Sequence, residues 1–179
     1  RDFTINAMAY HPQTGLVDLY DGQADLAAAI IRCVGEPYRR FEEDALRILR
    51  ALRFSSTLGF AMDDATAQAL RALSPTLTKV SVERITTEFV KLLCGKNAEN
   101  VLHEYRDIIT EFLPEIGDCT DFHLLSVLRS APSVRIAALL YAAGVSPVDA
   151  EHVMRRLRMD HKTLREVVLL LTALPRGVY

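Results

Sequence analysis

The sequence contains no tryptophan, only three cysteines and only four lysines among its 179 residues. Cys33, Cys94 and Cys119 are odd in number, far apart and without metal-ligand spacing, which suits a reducing cytosol and argues against a disulfide scaffold. No apolar run approaches the ~20 residues that a membrane span needs. Internal repeats and low-complexity segments are lacking, and no signal peptide follows Arg1. Excess charge of one sign is missing too. With 21 Lys+Arg against 23 Asp+Glu the net charge is -2, which excludes a strongly basic nucleic-acid module. A hydrophobic content of 50% with balanced charge excludes a disordered chain. What is abundant is arginine, 17 of the 21 basic residues. Arginine is favoured where a planar fork must bond or stack on something flat. The opening Arg1-Asp2-Phe3-Thr4-Ile5-Asn6-Ala7 has no initiator methionine and no preparatory strand or turn, so the chain reads as a fragment whose N-terminal part is absent.

Met8 to Tyr20 reads as two short strands around the turn Pro12-Gln13-Thr14-Gly15, closed by Asp21-Gly22. A short Ala-rich helix over Gln23 to Ala29 and a strand-like run from Ile30 to Gly35 follow. Beyond Pro37 the periodicity is helical. The expected helices are Glu42 to Ser55, Asp63 or Asp64 to Leu73, Ser81 to Gly95, and Asn97 to Leu113. Asp121 to Ser130, Val134 to Ala143, Pro147 to Leu157 and Thr163 to Leu174 complete the set. The expected fold is mainly α: a small β-hairpin piece over residues 1–37, a first helical group over 38–95 and a second over 96–179.

Phe41-Glu42-Glu43-Asp44-Ala45-Leu46-Arg47-Ile48-Leu49-Arg50-Ala51-Leu52-Arg53-Phe54 carries the most information. On one continuous helix with Asp44 at zero, Ala45, Ile48, Leu49 and Leu52 fall between roughly 40° and 140°. Glu43, Arg47, Arg50 and Arg53 fall between roughly 180° and 300°, with Asp44 at the edge. Three arginines at i, i+3 spacing form a ridge of one sign, repulsive along its length unless an anion such as a triphosphate lies on it. The alternative is a solvated face with weak ion pairs. A carboxylate beside a guanidinium can also present a hydrogen-bonding edge complementary to cytosine or adenine, both of which carry an exocyclic amine.

These residues resemble a known family. Arg1-Asp2-Phe3-Thr4-Ile5-Asn6-Ala7-Met8-Ala9 resembles the third head-domain motif of class II CCA-adding tRNA nucleotidyltransferases and bacterial poly(A) polymerases. Asp18 to Gly22 and Arg32 to Pro37 lie where that family has connecting strands and a turn. Glu43 to Phe54 is similar to its nucleotide-templating motif E-D-x-x-R-x-x-R-x-x-R-F, and Ser81 to Leu93 to the neck motif that supports it. The resemblance implies that residues 1–37 are the end of a nucleotidyltransferase head, 38–95 a helical neck and 96–179 a helical body.

It also implies roles. Arg1 contacts the phosphates or sugar of the incoming nucleotide, and Asp2 and Asn6 position the sugar. Without that motif, Asp2 and Asn6 read equally well as helix caps. Asp44 and Arg47 read the base edge of CTP or ATP, while Arg50 and Arg53 orient the triphosphate. Glu43, Glu83, Arg84 and Glu88 are supports; Glu83 and Arg84 otherwise read as first-turn surface charges. The catalytic carboxylates that hold Mg²⁺ in the family match nothing here, so this chain by itself is expected to be inactive with CTP, ATP and tRNA; incorporation by the isolated chain would refute that.

Arg135 to Gly144 resembles the helix on which HD phosphohydrolases carry a His-Asp pair, but Tyr141-Ala142 stands in that place. Asp121 and His123 do not make a metal site, and no metal ligand is assigned. Arg155, Arg156, Arg158, Lys162 and Arg165 form the densest basic cluster, either a solvated surface or a phosphate-contacting patch for tRNA. The expected protein is thus the neck and body of a cytoplasmic CCA-adding enzyme, with tRNA, CTP and ATP as partners and no membrane. A poly(A) polymerase of the same superfamily and a non-catalytic helical RNA-binding module remain the alternatives.

Overall fold

The computed structural model describes residues 1–173, so the end of the last expected helix at Leu174 lies outside the described residues. The fold is mainly helical with two small sheets. At its centre α3 (Leu46–Leu58) packs along α5 (Val82–Leu93). Around this pair lie α1 (Gly22–Ala28), α2 (Pro37–Glu43), α4 (Asp64–Leu73) and α6 (Ala98–Ile109). The short α7 (Leu124–Val127), α8 (Pro132–Ala142), α9 (Pro147–Arg156) and α10 (His161–Ala173) complete the molecule, with α10 against both α8 and α9.

α3 buries Ile48, Leu49 and Leu52 completely, three of the four residues in the stripe that the helical period anticipates; Ala51, outside that stripe, is fully buried as well, whereas Ala45 is half-buried. It stops at Gly59, whose φ of 72° is the left-handed conformation of a C-cap. α4 starts at Asp63, whose carboxylate accepts from the Thr66 backbone N–H at 3.1 Å. α9 combines Ser146 as N-cap with Pro147 in the first turn. At the junction after α5 the backbone runs directly over α3. A Cβ on Gly95 would lie 2.1 Å from Ser56 Oγ and 2.6 Å from the Ser56 carbonyl carbon, so only glycine fits. The Ser56 hydroxyl donates to the Leu92 carbonyl at 2.6 Å and welds the same crossing.

The β-containing end behaves as expected in part. β1 (Ala9–His11) and β2 (Gly15–Val17) pair antiparallel, with Ala9 opposite Val17. Their apolar side chains face outward: Tyr10 is 74% exposed, and Leu19 just beyond β2 is 76% exposed. The run from Ile30 to Gly35 contributes only a two-residue strand, β3 (Ile30–Ile31), and an isolated bridge from Cys33 to Phe3. Its parallel partner β4 (Ala61–Met62) has no counterpart in the sequence reading. Phe3 is fully buried and meets Phe54 of α3 edge-on at 5.6 Å, which anchors the N-terminal segment on the helices.

Three helical expectations change. The single helix over 42–55 is two helices, broken at Asp44, which is extended at φ −154° and ψ 102°. The cause is local. The Asp44 carboxylate accepts from the Leu46 N–H at 3.1 Å and its carbonyl accepts from the Arg47 N–H at 3.0 Å, so this aspartate starts a new helix instead of continuing the old one. Asp121 to Ser130 shortens to α7, because Asp121 bonds the His123 N–H at 2.8 Å in a turn. The helix expected to reach Leu113 ends at Ile109, after a non-helical Tyr105. No helix among the described residues is long and apolar enough to cross a membrane.

Gly95→Ala is expected to destabilise the chain by about 1–3 kcal/mol through overpacking. A denaturant titration with an unchanged midpoint would contradict the crossing described here.

Candidate functional site

The arginine ridge of α3 is present, but its charges are already answered from within the chain. Asp2 reaches over the ridge and bridges two of its members. One carboxylate oxygen accepts from Arg47 Nε at 3.1 Å, and the other accepts from Arg50 Nε at 2.7 Å with Arg50 Nη2 at 2.6 Å. Arg47 Nη1 also donates to the Arg40 carbonyl at 2.7 Å and to Glu43 at 2.8 Å. Burial works against the Arg47 charge, but Glu43 and Asp2 outweigh it and raise its pKa. The hydrogen bond from Arg47 in turn lowers the pKa of Glu43. Arg40 joins this group through Glu43 and through the Arg1 carbonyl, at 2.6 Å.

Further along the ridge, Arg53 Nε lies 3.1 Å from Glu88 of α5, whose residue is only 5% exposed. The anions that relieve the ridge are therefore Asp2, Glu43 and Glu88; no triphosphate is needed for that purpose. Arg47 Nη2 and Arg50 Nη1 have no hydrogen bond among the described residues and remain available as donors.

Asp44 takes a different partner from the one its spacing suggested. Its free carboxylate oxygen accepts from Arg84 Nη2 of α5 at 2.9 Å, and Arg47 is engaged elsewhere. The joined edge of Asp44 and Arg47 is not assembled in this structure. The Asp44–Arg84 pair instead lines a cleft of about 490 Å³ between the α2–α3 break and the start of α5, with Glu43, Lys79 and Ser81 on its walls. Arg84, for which the resemblance implies a supporting role, is the residue that meets Asp44 here. Its place in the first turn of α5, where a basic residue runs against the helix dipole, is a second and local sign of an acidic partner.

The remaining candidates are dispersed. The Asn6 side-chain carbonyl accepts from the Phe3 N–H at 3.1 Å, a local turn contact, while Arg1 is exposed. Glu83 pairs with Arg158 across the α5–α9 boundary. The basic cluster is largely neutralised. Arg155 pairs with Glu151 at 2.6 Å, and Arg156 forms a two-pronged bond to Glu115 at 2.7 and 2.8 Å. Only Lys162 and Arg165 of the five lack a carboxylate partner among the described residues. His123 is exposed, 4.0 Å from Glu99. Among the described residues no group of three or more His, Cys, Asp or Glu side chains is placed to hold a metal ion. Burial pushes the Cys33 thiol up to about 12, which makes it an inert core group.

With this geometry in view, the kinship of the chain is clear. Residues 1–32 match the poly A polymerase head domain, and residues 59–118 match a family described as the probable RNA and SrmB- binding site of polymerase A. The CCA-adding enzyme of Lactobacillus delbrueckii subsp. bulgaricus is 47% identical over 187 residues, covering 99% of this chain and 47% of that protein. That of Latilactobacillus sakei subsp. sakei is 34% identical over 184 residues, covering 98% and 46%. Among solved structures, the Bacillus stearothermophilus CCA-adding enzyme in complex with CTP superimposes with a TM-score of 0.85 at 36% identity, over 97% of this chain and 45% of that one. The chain spans half or less of the length of these relatives. Head-end segment, arginine ridge and helical array define a nucleotidyltransferase-type protein. The chain belongs to the family of class II CCA-adding tRNA nucleotidyltransferases and bacterial poly(A) polymerases.

Two outcomes follow from the ion pairs. Asp2→Asn leaves Arg47 and Arg50 facing each other without a shared carboxylate and is expected to destabilise the fold by about 1–3 kcal/mol in a thermal or denaturant melt. The hydrogen bonds from Arg156 hold the Glu115 carboxyl below its ordinary 4.5. That stabilisation is complete above pH 4.5 and is lost as pH falls through the depressed folded-state value. Stability of Arg156→Gln is therefore expected to fall less steeply with acidification below pH 4.5 than wild type; identical acid limbs would contradict the pairing.

Proposed function

We propose that this chain is the base-recognising and RNA-contacting part of an enzyme that adds C and A to the 3′ end of tRNA from CTP and ATP. The reaction is attack of the tRNA 3′-hydroxyl on the α-phosphorus. A new P–O bond forms, the α–β bridge bond breaks, and pyrophosphate leaves as the hydroxyl gives up its proton. In this reading Asp44 accepts from the exocyclic amine of cytosine or adenine, and Arg47 donates to the ring nitrogen or carbonyl beside it. Arg50, Arg53 and Arg1 face the triphosphate, Asp2 and Asn6 serve the sugar side, and Glu43, Glu83, Arg84 and Glu88 act as braces. The observation that carries the reading is the α2–α3 break. It sets Asp44 on a cleft, held by Arg84, with Arg47 three residues on and held by Asp2 and Glu43. Groups already fixed in this way lose little freedom when a base arrives.

The family's chemistry uses a divalent metal, and we assign Mg²⁺ to the intact enzyme. The carboxylates described here do not fit it. They are spent on arginines and helix starts, and no three of them converge. The work of this chain is accordingly to bind and orient, not to activate the hydroxyl. The chain divides in this proposal into a head end (1–37), a neck (38–95) and a body (96–179), and a cytoplasmic location suits its three free thiols. Of the basic cluster in the body, Lys162 and Arg165 are, among the described residues, the cations left for a tRNA phosphate. A poly(A) polymerase is the second reading, favoured by the two family matches. Addition that stops after CCA on tRNA supports the first; long A tracts on arbitrary RNA support the second.

The test uses the full-length protein with Asp44→Asn and Arg47→Gln. Each substitution is expected to reduce the preference for C and A over U and G by about 10- to 100-fold, the worth of one good base-edge contact. Unchanged selection in both variants would remove these residues from base reading.

A further inference from the structure

The segment that delivers Asp2 to the arginine ridge is not itself part of the helical array. It hangs on the strand at Ile30–Val34, which is paired on both sides. On one side the Ala61 N–H donates to the Ala29 carbonyl at 2.9 Å and the Asp63 N–H to the Ile31 carbonyl at 3.0 Å. On the other, the Thr4 N–H donates to the Arg32 carbonyl at 3.0 Å and the Val34 N–H to the Asp2 carbonyl at 3.1 Å. A ribbon this narrow can still twist about its axis, since the edge that carries Asp2 is held by only these two backbone bonds.

A single side chain closes that freedom. Arg32 Nε donates to both carboxylate oxygens of Asp25, at 3.2 and 3.1 Å, and its Nη1 pairs with Asp63. Asp25, on α1, is 7% exposed and also accepts from the Thr4 hydroxyl at 2.7 Å. Asp63 starts α4 and accepts from the Thr66 hydroxyl at 3.1 Å, and that hydroxyl oxygen accepts from the Cys33 N–H at 3.1 Å. Thr4, Asp25, Arg32, Asp63, Thr66 and Cys33 form a closed ring around the strand. It joins the head-end segment to α4 and lies apart from both the cleft and the ridge.

We infer that Arg32 is a positioning residue for nucleotide addition: by latching Asp25 to Asp63 it sets the place of Asp2, and through Asp2 the directions in which Arg47 and Arg50 present their free N–H groups. This rests on the function proposed above. Arg32 touches no nucleotide, so its loss leaves Asp44 in place, held by Arg84, and misdirects the N–H groups of Arg47 and Arg50 that Asp2 holds. Displacements of an ångström are enough to slow a reaction about 100-fold. A lysine cannot replace it, because one ammonium does not span two carboxylates as a guanidinium fork does.

The experiment uses the full-length protein with CTP, ATP and tRNA, and compares Arg32→Gln and Arg32→Lys with Arg71→Gln. Arg71 is a similarly exposed arginine on α4 that binds Asp107 at 2.9 Å, outside the ring, and serves as the control for simple loss of stability. Both Arg32 variants are expected to lose about 10- to 100-fold in kcat with KM for CTP and ATP moved less than about threefold, while Arg71→Gln keeps wild-type kcat. Without any nucleotide, amide exchange at Thr4 and Val34 is expected to quicken about tenfold in the Arg32 variants while α5 stays protected. Wild-type kcat in Arg32→Gln, rescue by lysine, or unchanged exchange at Thr4 and Val34 overturns the inference. Absence of C and A addition by the wild-type protein overturns the proposed function itself, and the positioning role with it, whatever the exchange data show.

Discussion

Two guanidinium groups one helical turn apart, half withdrawn from water, repel each other, and the carboxylate of Asp2 is what makes their neighbourhood tolerable. It lies between Arg47 and Arg50 and bonds both. Charge-assisted bonds of this kind are stronger than neutral ones and more directional. The consequence reaches well beyond the pair. To deliver Asp2, Phe3 must be buried against Phe54, and the Arg1–Thr4 segment must pair with the strand at Arg32–Val34. Glu88 answers the charge of Arg53 from the opposite side, out of α5, as a buried ion pair without the hydrogen-bond geometry that Asp2 has. α3 is thus pinned by two segments remote from it in sequence, and the ridge is a junction before it is a binding surface.

That arrangement bears on what the site can do. Arginines held by carboxylates keep their charge, keep a fixed direction and retain unused N–H groups. They are suited to a ligand whose position matters more than its affinity. The cleft beside them is lined by Glu42, Glu43 and Asp44, of which Asp44 is likewise already held, by Arg84. A polar wall whose hydrogen-bonding directions are set in advance discriminates between bases by what it leaves unpaired when the wrong one enters. Selection of C and A without a nucleic-acid template, the function proposed above, would need that property.

Much of this was legible in the sequence. The apolar stripe of α3, the Asp63 start of α4, the Pro147 opening of α9 and the three-residue spacing of Arg47, Arg50 and Arg53 all follow from local periods and caps, and all are present. The break at Asp44 was not legible, because the apolar period runs through it undisturbed; the bond to Leu46 and the pull of Arg84 decide it, and the latter comes from 40 residues away. β4 is two residues long, too short to show any period. The Asp2 pairs span 45 and 48 residues. The basic cluster looked free for a similar reason. Glu151, four residues before Arg155, is a local partner, whereas Glu115 and Glu83 meet the cluster only in the fold. Side chains whose partners are local announced themselves; those with distant partners did not.

The most direct test of the account is a crystal structure of the full-length protein with CTP bound. The account expects the cytosine amine within about 3 Å of the Asp44 carboxylate and its ring nitrogen or carbonyl at a similar distance from Arg47, with Asp2 still bridging Arg47 and Arg50. A base bound away from both side chains, or an Asp2 released from the ridge, would contradict it.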